Sequence, residues 1–393
     1  MTDAEQPFKI TVPDDALALL KAKLDLVTLP DELDDAGWAY GAPLADIKRL
    51  VGRWKDGYDW RKHEKALNDE LPQFTRDVVV DGFGTLNVHY GPEASWKSAS
   101  SRRCSRKGRP TNRASMSSRS VCLGTGSRRR PPRRVLESEL CHKLMTAVGY
   151  DEYVTQGGDW GGIISRAVAC AYGPKHVKAW HTNFPVVRPP PLSLNPFYLF
   201  NTARMYLPLL WLTQEEKDGL QRTRDLDRTA TGYFKIQSTK PQTLGYSLAD
   251  SPVGLLGWIY EKLVAWSDKY EWTDDEVLTW ISIYWFSRSG PTASLRIYYE
   301  TTKNNALVVP PVDDPAVKPV VPMGISFFPA EVFGLPRHWV RRTGNVVFEA
   351  SHKAGGHFAA YEVPELLAGD LRKMLGKNGP ARGVISARPR ARM

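Results

Sequence analysis

The pentapeptide Gly157-Gly158-Asp159-Trp160-Gly161 constrains this chain more than any other stretch. Glycines two places before and two places after a central residue give the spacing of a nucleophile elbow. That elbow is a sharp strand-to-helix turn in which small flanking residues let two backbone segments pass closely. The flanks agree with that geometry. Tyr153-Val154-Thr155-Gln156 reads as a short buried strand, and Ile163 to Ala169 reads as a helix. Taken alone, the pentapeptide has a second reading, a glycine-rich turn with an exposed Asp.

Asp at the centre, where a lipase or esterase carries Ser, narrows the chemistry. A carboxylate that attacks a saturated carbon leaves an ester, which water can cleave at its carbonyl. A serine would leave an ether that the site could not hydrolyse. An Asp elbow therefore suggests opening of an epoxide or expulsion of a halide. Further on, Gly355-Gly356-His357-Phe358 stands just before an amphipathic helix expected over Pro364 to Leu375. Glu331 lies 26 residues before His357, just after the apolar run Val320 to Phe328. Nucleophile, then acid, then His is the chain order of an α/β-hydrolase triad. Singly, His357 reads as a loop histidine and Glu331 as the first-turn acid of a short helix. Their order, spacing and strand-end placement together favour catalysis.

Further segments carry a resemblance. They include Trp38-Ala39-Tyr40-Gly41, Tyr58-Asp59-Trp60-Arg61, Leu71-Pro72-Gln73-Phe74, Gly232-Tyr233-Phe234, Thr239-Lys240-Pro241, Asp250 to Leu255, Tyr284-Trp285, Arg296-Ile297-Tyr298 and Phe328-Pro329-Ala330-Glu331. With the elbow and the Gly-Gly-His-Phe motif, they make the chain resemble the microsomal-type epoxide hydrolases and their soluble fungal relatives, over about 1–93 and 136–378. The resemblance implies an α/β-hydrolase fold: a mostly parallel sheet flanked by helices, with a helical lid and an N-terminal meander. It implies Asp159 as nucleophile, His357 as base and Glu331 as the acid that orients it. Tyr233 and Tyr298 are then lid phenols that protonate the opening epoxide oxygen, and the backbone N–H of Trp160 is an oxyanion donor. Tyr298 rather than its neighbour Tyr299 fits, because the family's tyrosine follows Arg and one bulky residue. Without the resemblance, Tyr233 and Tyr298 read as packing aromatics. The substrates implied are a small epoxide and water, with no metal or organic cofactor.

One family motif is missing. A strand ending in His-Gly-X-Pro should follow the first hairpin, and no such motif occurs in the chain. In its place, Lys97 to Arg134 holds 13 Lys or Arg and no acid. A shifted reading frame explains this stretch. Val121 to Ser127 can be encoded so that dropping two bases gives Val-Pro-Gly-Tyr-Gly-Phe, a turn the family carries here. A similar shift near Ser95 to Ser98 can give Phe-Leu-Glu-Val. The segment is also shorter than the family's. We read it as a frameshift or gene-model lesion that leaves the sheet incomplete and the chain as written with little or no activity. The alternative is a genuine basic, disordered insert.

Charge follows the same split. The net charge is +10, yet without those 13 bases the rest carries 40 bases against 43 acids, about −3. The basic balance thus belongs to one segment and does not advertise nucleic-acid binding. Four cysteines make no disulfide framework. The polar start and the lack of a long apolar run give no signal core or membrane anchor, so the cytoplasm is the expected compartment. A homodimer is compatible with the reading.

Along the chain we expect a meander at 1–75, with Asp14 capping a helix, and a first hairpin at 76–94. The aberrant segment takes 95–135. Core with the elbow takes 136–185, including a strand at Val177 to Phe184. A helical lid takes 186–305, and core with acid and His takes 306–378. A basic tail, expected to be disordered, takes 379–393. Two other functions compete. One is a haloalkane dehalogenase-like Asp hydrolase, which needs halide-binding Trp or Asn in place of two phenols. The other is a non-catalytic product or basic-segment binding protein.

Overall fold

The computed structural model describes residues 4–91, 115–116, 133–187, 206–303 and 318–386. Most of the basic segment, the run Pro189-Pro190-Pro191 and the last residues of the tail lie outside them.

Three helices open the chain: α1 (Asp14–Asp25), α2 (Leu44–Lys55) and α3 (Trp60–Glu70). Asp14 is the first helical residue rather than the cap, which is Pro13. Asp14 and Asp15 in the first turn still complement the helix dipole. Asp59 caps α3, accepting from the N–H groups of Arg61 and Lys62. In α2, Ile47, Leu50, Val51 and Trp54 recur at helical spacing and are all buried.

Strands β1 (Gln6–Phe8), β2 (Gln73–Val80) and β3 (Gly84–Tyr90) form an antiparallel sheet in that order. A second sheet is wholly parallel. It runs β4 (Ser115–Met116), β5 (Tyr153–Gly157), β6 (Val177–Thr182), β7 (Pro322–Phe327) and β8 (Asn345–Ser351). Among the described residues no hydrogen-bonded strand joins the two sheets. Helix α4 (Arg133–Ala147) bridges them with its side chains. Leu140 and Leu144, one turn apart, pack on Val78, Val80, Leu86 and Val88 of the hairpin. Cys141 and Met145 pack instead with Tyr153, Val177 and Met323 of the parallel sheet.

Three boundaries differ from expectation. Ser115 and Met116 pair with Val154 and Thr155 inside the segment expected to be unstructured. Such pairing needs backbone alone, and it covers part of the free edge of β5. β6 ends at Thr182, because the Thr182 hydroxyl donates to the Gly157 carbonyl at 2.8 Å and accepts from the Phe184 N–H at 3.0 Å. The described tail is ordered: Ala381, Val384 and Ile385 pack on Val154, Ala179 and Met374, and the Ser386 N–H donates to Glu152 at 2.8 Å. Its apolar residues outweigh its one arginine, Arg382.

Helix α5 (Trp160–Tyr172) follows β5. A helical layer comes after β6: α6 (Gln214–Thr229), α7 (Gly232–Thr239), α8 (Pro241–Asp250), α9 (Pro252–Ala265), α10 (Asp274–Trp285) and α11 (Ala293–Lys303). Leu20, Leu24, Leu50 and Trp54 of the N-terminal helices share one core with Leu255, Leu263, Leu278 and Ile281 of this layer. The meander therefore packs against the layer. Three helices finish the fold: α12 (Arg337–Arg341), α13 (Ala359–Glu362) and α14 (Pro364–Leu375).

Candidate active site

Asp159 stands between β5 and α5 with φ 52° and ψ −132°. The glycines around it are dictated by contact. A Cβ on Gly157 would lie 2.1 Å from the Gly161 carbonyl oxygen, and one on Gly162 would lie 2.8 Å from the Thr182 hydroxyl. Strand and helix pass too closely here for any side chain. The turn lifts Asp159 above the C-terminal ends of β5 and β6. It also places Trp160 at the first position of α5, where helix geometry offers its N–H no internal acceptor.

Glu331 follows β7 in a loop rather than in a helix, and it is 4% exposed. Its Oε1 takes the Val332 N–H at 2.8 Å and meets His357 Nδ1 at 2.7 Å. The other ring nitrogen of His357, Nε2, lies 3.8 Å from Asp159 Oδ2. The two carboxylates thus approach opposite edges of one imidazole that is 3% exposed. Burial alone would drive this ring toward its neutral form. The charge of Glu331, its hydrogen bond to Nδ1 and the nearby charge of Asp159 outweigh burial and push its pKa up to about 9.

Aromatic rings enclose the imidazole. Trp266, Phe184 and Phe358 stand edge-on to it, with centroids 5.1, 5.5 and 5.2 Å away. The Trp266 ring also meets Tyr233 at 5.2 Å. Tyr233, on α7, lies 6.0 Å from Tyr298 on α11, ring edge to ring face. Tyr298 meets Trp160 at 5.3 Å and Phe234 at 5.7 Å. Burial, then the negative charge of Asp159, raises the Tyr233 pKa well above the usual phenol range. Tyr299 faces elsewhere, under the ammonium of Lys303. Asp159, Glu331, His357, Tyr233, Tyr298 and Trp160 therefore converge in space from five separate stretches of chain.

Behind the site lies a polar cluster that no motif announces. Asp370 of α14 is fully buried and takes the Ser326 hydroxyl at 2.6 Å and His352 Nε2 at 2.6 Å. Ser326 also meets His181 Nε2 at 3.1 Å. Burial, partly offset by Asp370, lowers the His181 pKa to about 4, so this ring is neutral. The cluster ties β6, β7 and the exit of β8 to α14 beneath the loops that carry Glu331 and His357. Among the described residues, no group of three or more His, Cys, Asp or Glu could hold a metal. Nor is any described helix long and apolar enough to cross a membrane.

Comparison with known proteins gives consistent likenesses. A family model described as "Epoxide hydrolase N terminus" matches residues 5–101. The chain is 32% identical over 396 residues to a protein of Stigmatella aurantiaca provisionally named an epoxide hydrolase, over 93% of this chain and 84% of that protein. It is 30% identical over 417 residues to epoxide hydrolase 1 of Sus scrofa, over 94% and 88% of the two. Among solved structures, the epoxide hydrolase of Aspergillus niger superposes with a TM-score of 0.72 at 26% identity, over 94% of this chain and 95% of that one.

Proposed function

We propose, for a chain that belongs to the epoxide hydrolase family, that hydrolysis proceeds through an ester on Asp159. The fold is that of the α/β-hydrolases, and the reaction class is hydrolysis of an epoxide to a vicinal diol. In the first step an Asp159 oxygen attacks one epoxide carbon and the C–O bond at that carbon breaks. The departing alkoxide is a strong base and takes a proton from Tyr233 or Tyr298. In the second step His357 Nε2 removes a proton from water, and the resulting hydroxide adds to the Asp159 carbonyl carbon. Glu331 holds the ring and stabilises its positive charge. The Trp160 N–H steadies the oxyanion. On collapse the expelled alkoxide takes the proton from the His357 ring and leaves as the diol, while the new carboxylic acid ionises and its proton returns to the phenolate through solvent.

The observation that carries this reading is the convergence of Asp159 and Glu331 on the two nitrogens of His357. The aromatic walls formed by Trp160, Phe184, Phe234 and Trp266 favour an apolar, aryl-substituted epoxide. The second oxyanion donor that the resemblance implies belongs to a His-Gly-X-Pro motif, which the sequence lacks. On that ground we assign the chain as written faster ester formation than ester hydrolysis.

Isotope labelling tests the route. With protein in excess over styrene oxide in ¹⁸O-water, the first diol released should carry unlabelled oxygen taken from Asp159. Asp159→Ala should lower turnover by about a millionfold. Labelled diol in the first turnover, or turnover surviving Asp159→Ala, contradicts the proposal.

A further inference from the structure

The loop that carries His357 is held by a turn of the helical layer and by two carboxylates outside the triad. The turn is Trp266-Ser267-Asp268, directly after α9. The Trp266 carbonyl accepts the His357 N–H at 2.8 Å. Contact is so close that a Cβ on Gly356 would lie 2.6 Å from that carbonyl oxygen and 2.8 Å from the Asp268 nitrogen. Asp268 Oδ2 takes the Gly355 N–H at 2.8 Å. Glu362, the last residue of α13, takes the Asp268 N–H at 2.7 Å and the Gly356 N–H at 3.1 Å. On its other side the loop is bridged to Ala330, next to Glu331.

Three backbone N–H groups around the catalytic loop thus have carboxylates as their acceptors. Unpaired in this half-buried place they would be costly. The arrangement also sets two carboxylates together, and burial, then the nearby Asp268, works to raise the Glu362 pKa while its N–H partners oppose this. A placement that crowds like charges serves the loop better than it serves fold stability. Trp266 extends the link, since its ring touches both the His357 imidazole and Tyr233.

We propose that Asp268 and Glu362 are positioning residues that hold the His357 loop in register with Asp159 for the water-activating step. This rests on the assignment of His357 as base. Ester formation uses Asp159 and the phenols, whereas ester hydrolysis uses His357. Loosening the clasp should therefore slow the second step selectively. A merely structural role would depress both steps together, in line with loss of fold.

The test uses the full chain with styrene oxide and follows the Asp159 adduct by intact-protein mass spectrometry. In Glu362→Gln and in Asp268→Asn, adduct should form at the unsubstituted rate. It should persist about 10- to 100-fold longer, the scale expected for a displaced catalytic group. Glu362→Asp should recover part of the lost rate. Circular dichroism melting checks the fold, and if one variant does not fold the other carries the measurement. Unchanged adduct lifetimes, or equal slowing of formation and decay, overturn the positioning role alone. Absence of any adduct in the unsubstituted chain overturns the assignment of the ester route, and this proposal with it.

Discussion

From β5 to β8 the parallel sheet is continuous, and Asp159, Glu331 and His357 all follow strands within it. On the other side of β5 only Ser115 and Met116 pair among the described residues, and the hairpin sheet is reached through α4 rather than by hydrogen bonds. The triad is thus built on one flank of the sheet. Among the described residues, Glu331 and His357 bond to each other, and further to Val332 and Trp266. What the resemblance expects of the basic segment, a neighbouring strand and a second oxyanion donor, bears on edge protection and on the hydrolytic step. The lesion we propose there would leave the attacking geometry in place while weakening the breakdown of the ester.

After the loss of Asp159 itself, the largest expected effect tests the ordered flank. His357→Gln should leave ester formation in place and slow ester hydrolysis by about 100- to 10,000-fold, measured in single-turnover quench experiments. Its pH profile sharpens the point. The ring is held to about 9 in the free protein by Glu331 and Asp159 against burial. Esterification cancels the Asp159 charge, so hydrolysis should rise with pH and level off below 9. A rate that falls between pH 6 and 9 would break the assignment. The raised pKa also links to stability. The contribution of His357 is full below its unfolded value near 6.5 and is lost as pH rises through about 9.

The other flank gives the next effect in size. Restoring the alternative frame across residues 95–135 should raise soluble yield. It should also raise ester hydrolysis by about 100- to 1000-fold for an oxyanion donor regained. Equal hydrolysis rates in both forms would make the basic stretch a true insert. The smallest effect concerns the helical layer. Tyr298→Phe should slow ester formation about tenfold, less than loss of all acid assistance because Tyr233 remains. Tyr299→Phe should leave the rate unchanged, and the reverse ranking would move the proton donor to Tyr299.

What the sequence revealed follows from how local each signal is. The elbow is legible because its glycines answer a clash within five residues, and α14 because its apolar period and its Pro364 start are contiguous. Glu331 and His357 were legible from chain order, though their meeting is a property of β7 and β8. β1 was not foreseen: Gln6, Pro7 and Phe8 are all exposed and show no alternation, and the Phe8 ring meets His89 only once the chain has folded. The Asp268–Glu362 clasp and the His181–Ser326–Asp370–His352 cluster were hidden for another reason. Their members are far apart in sequence, and each looks like an ordinary surface polar residue until folding buries it.

The backbone at Asp159 has one more consequence. A side chain at φ 52°, ψ −132° stores conformational energy on the order of 1–3 kcal/mol. At an unstrained position, glycine makes a protein less stable than alanine by about 0.4–1 kcal/mol, because it loosens the unfolded chain. At residue 159 the order should invert. Asp159→Gly and Asp159→Ala lose the same carboxylate, yet the glycine protein should melt at the higher temperature. Selection for the reaction and selection for a durable fold therefore pull this residue in opposite directions.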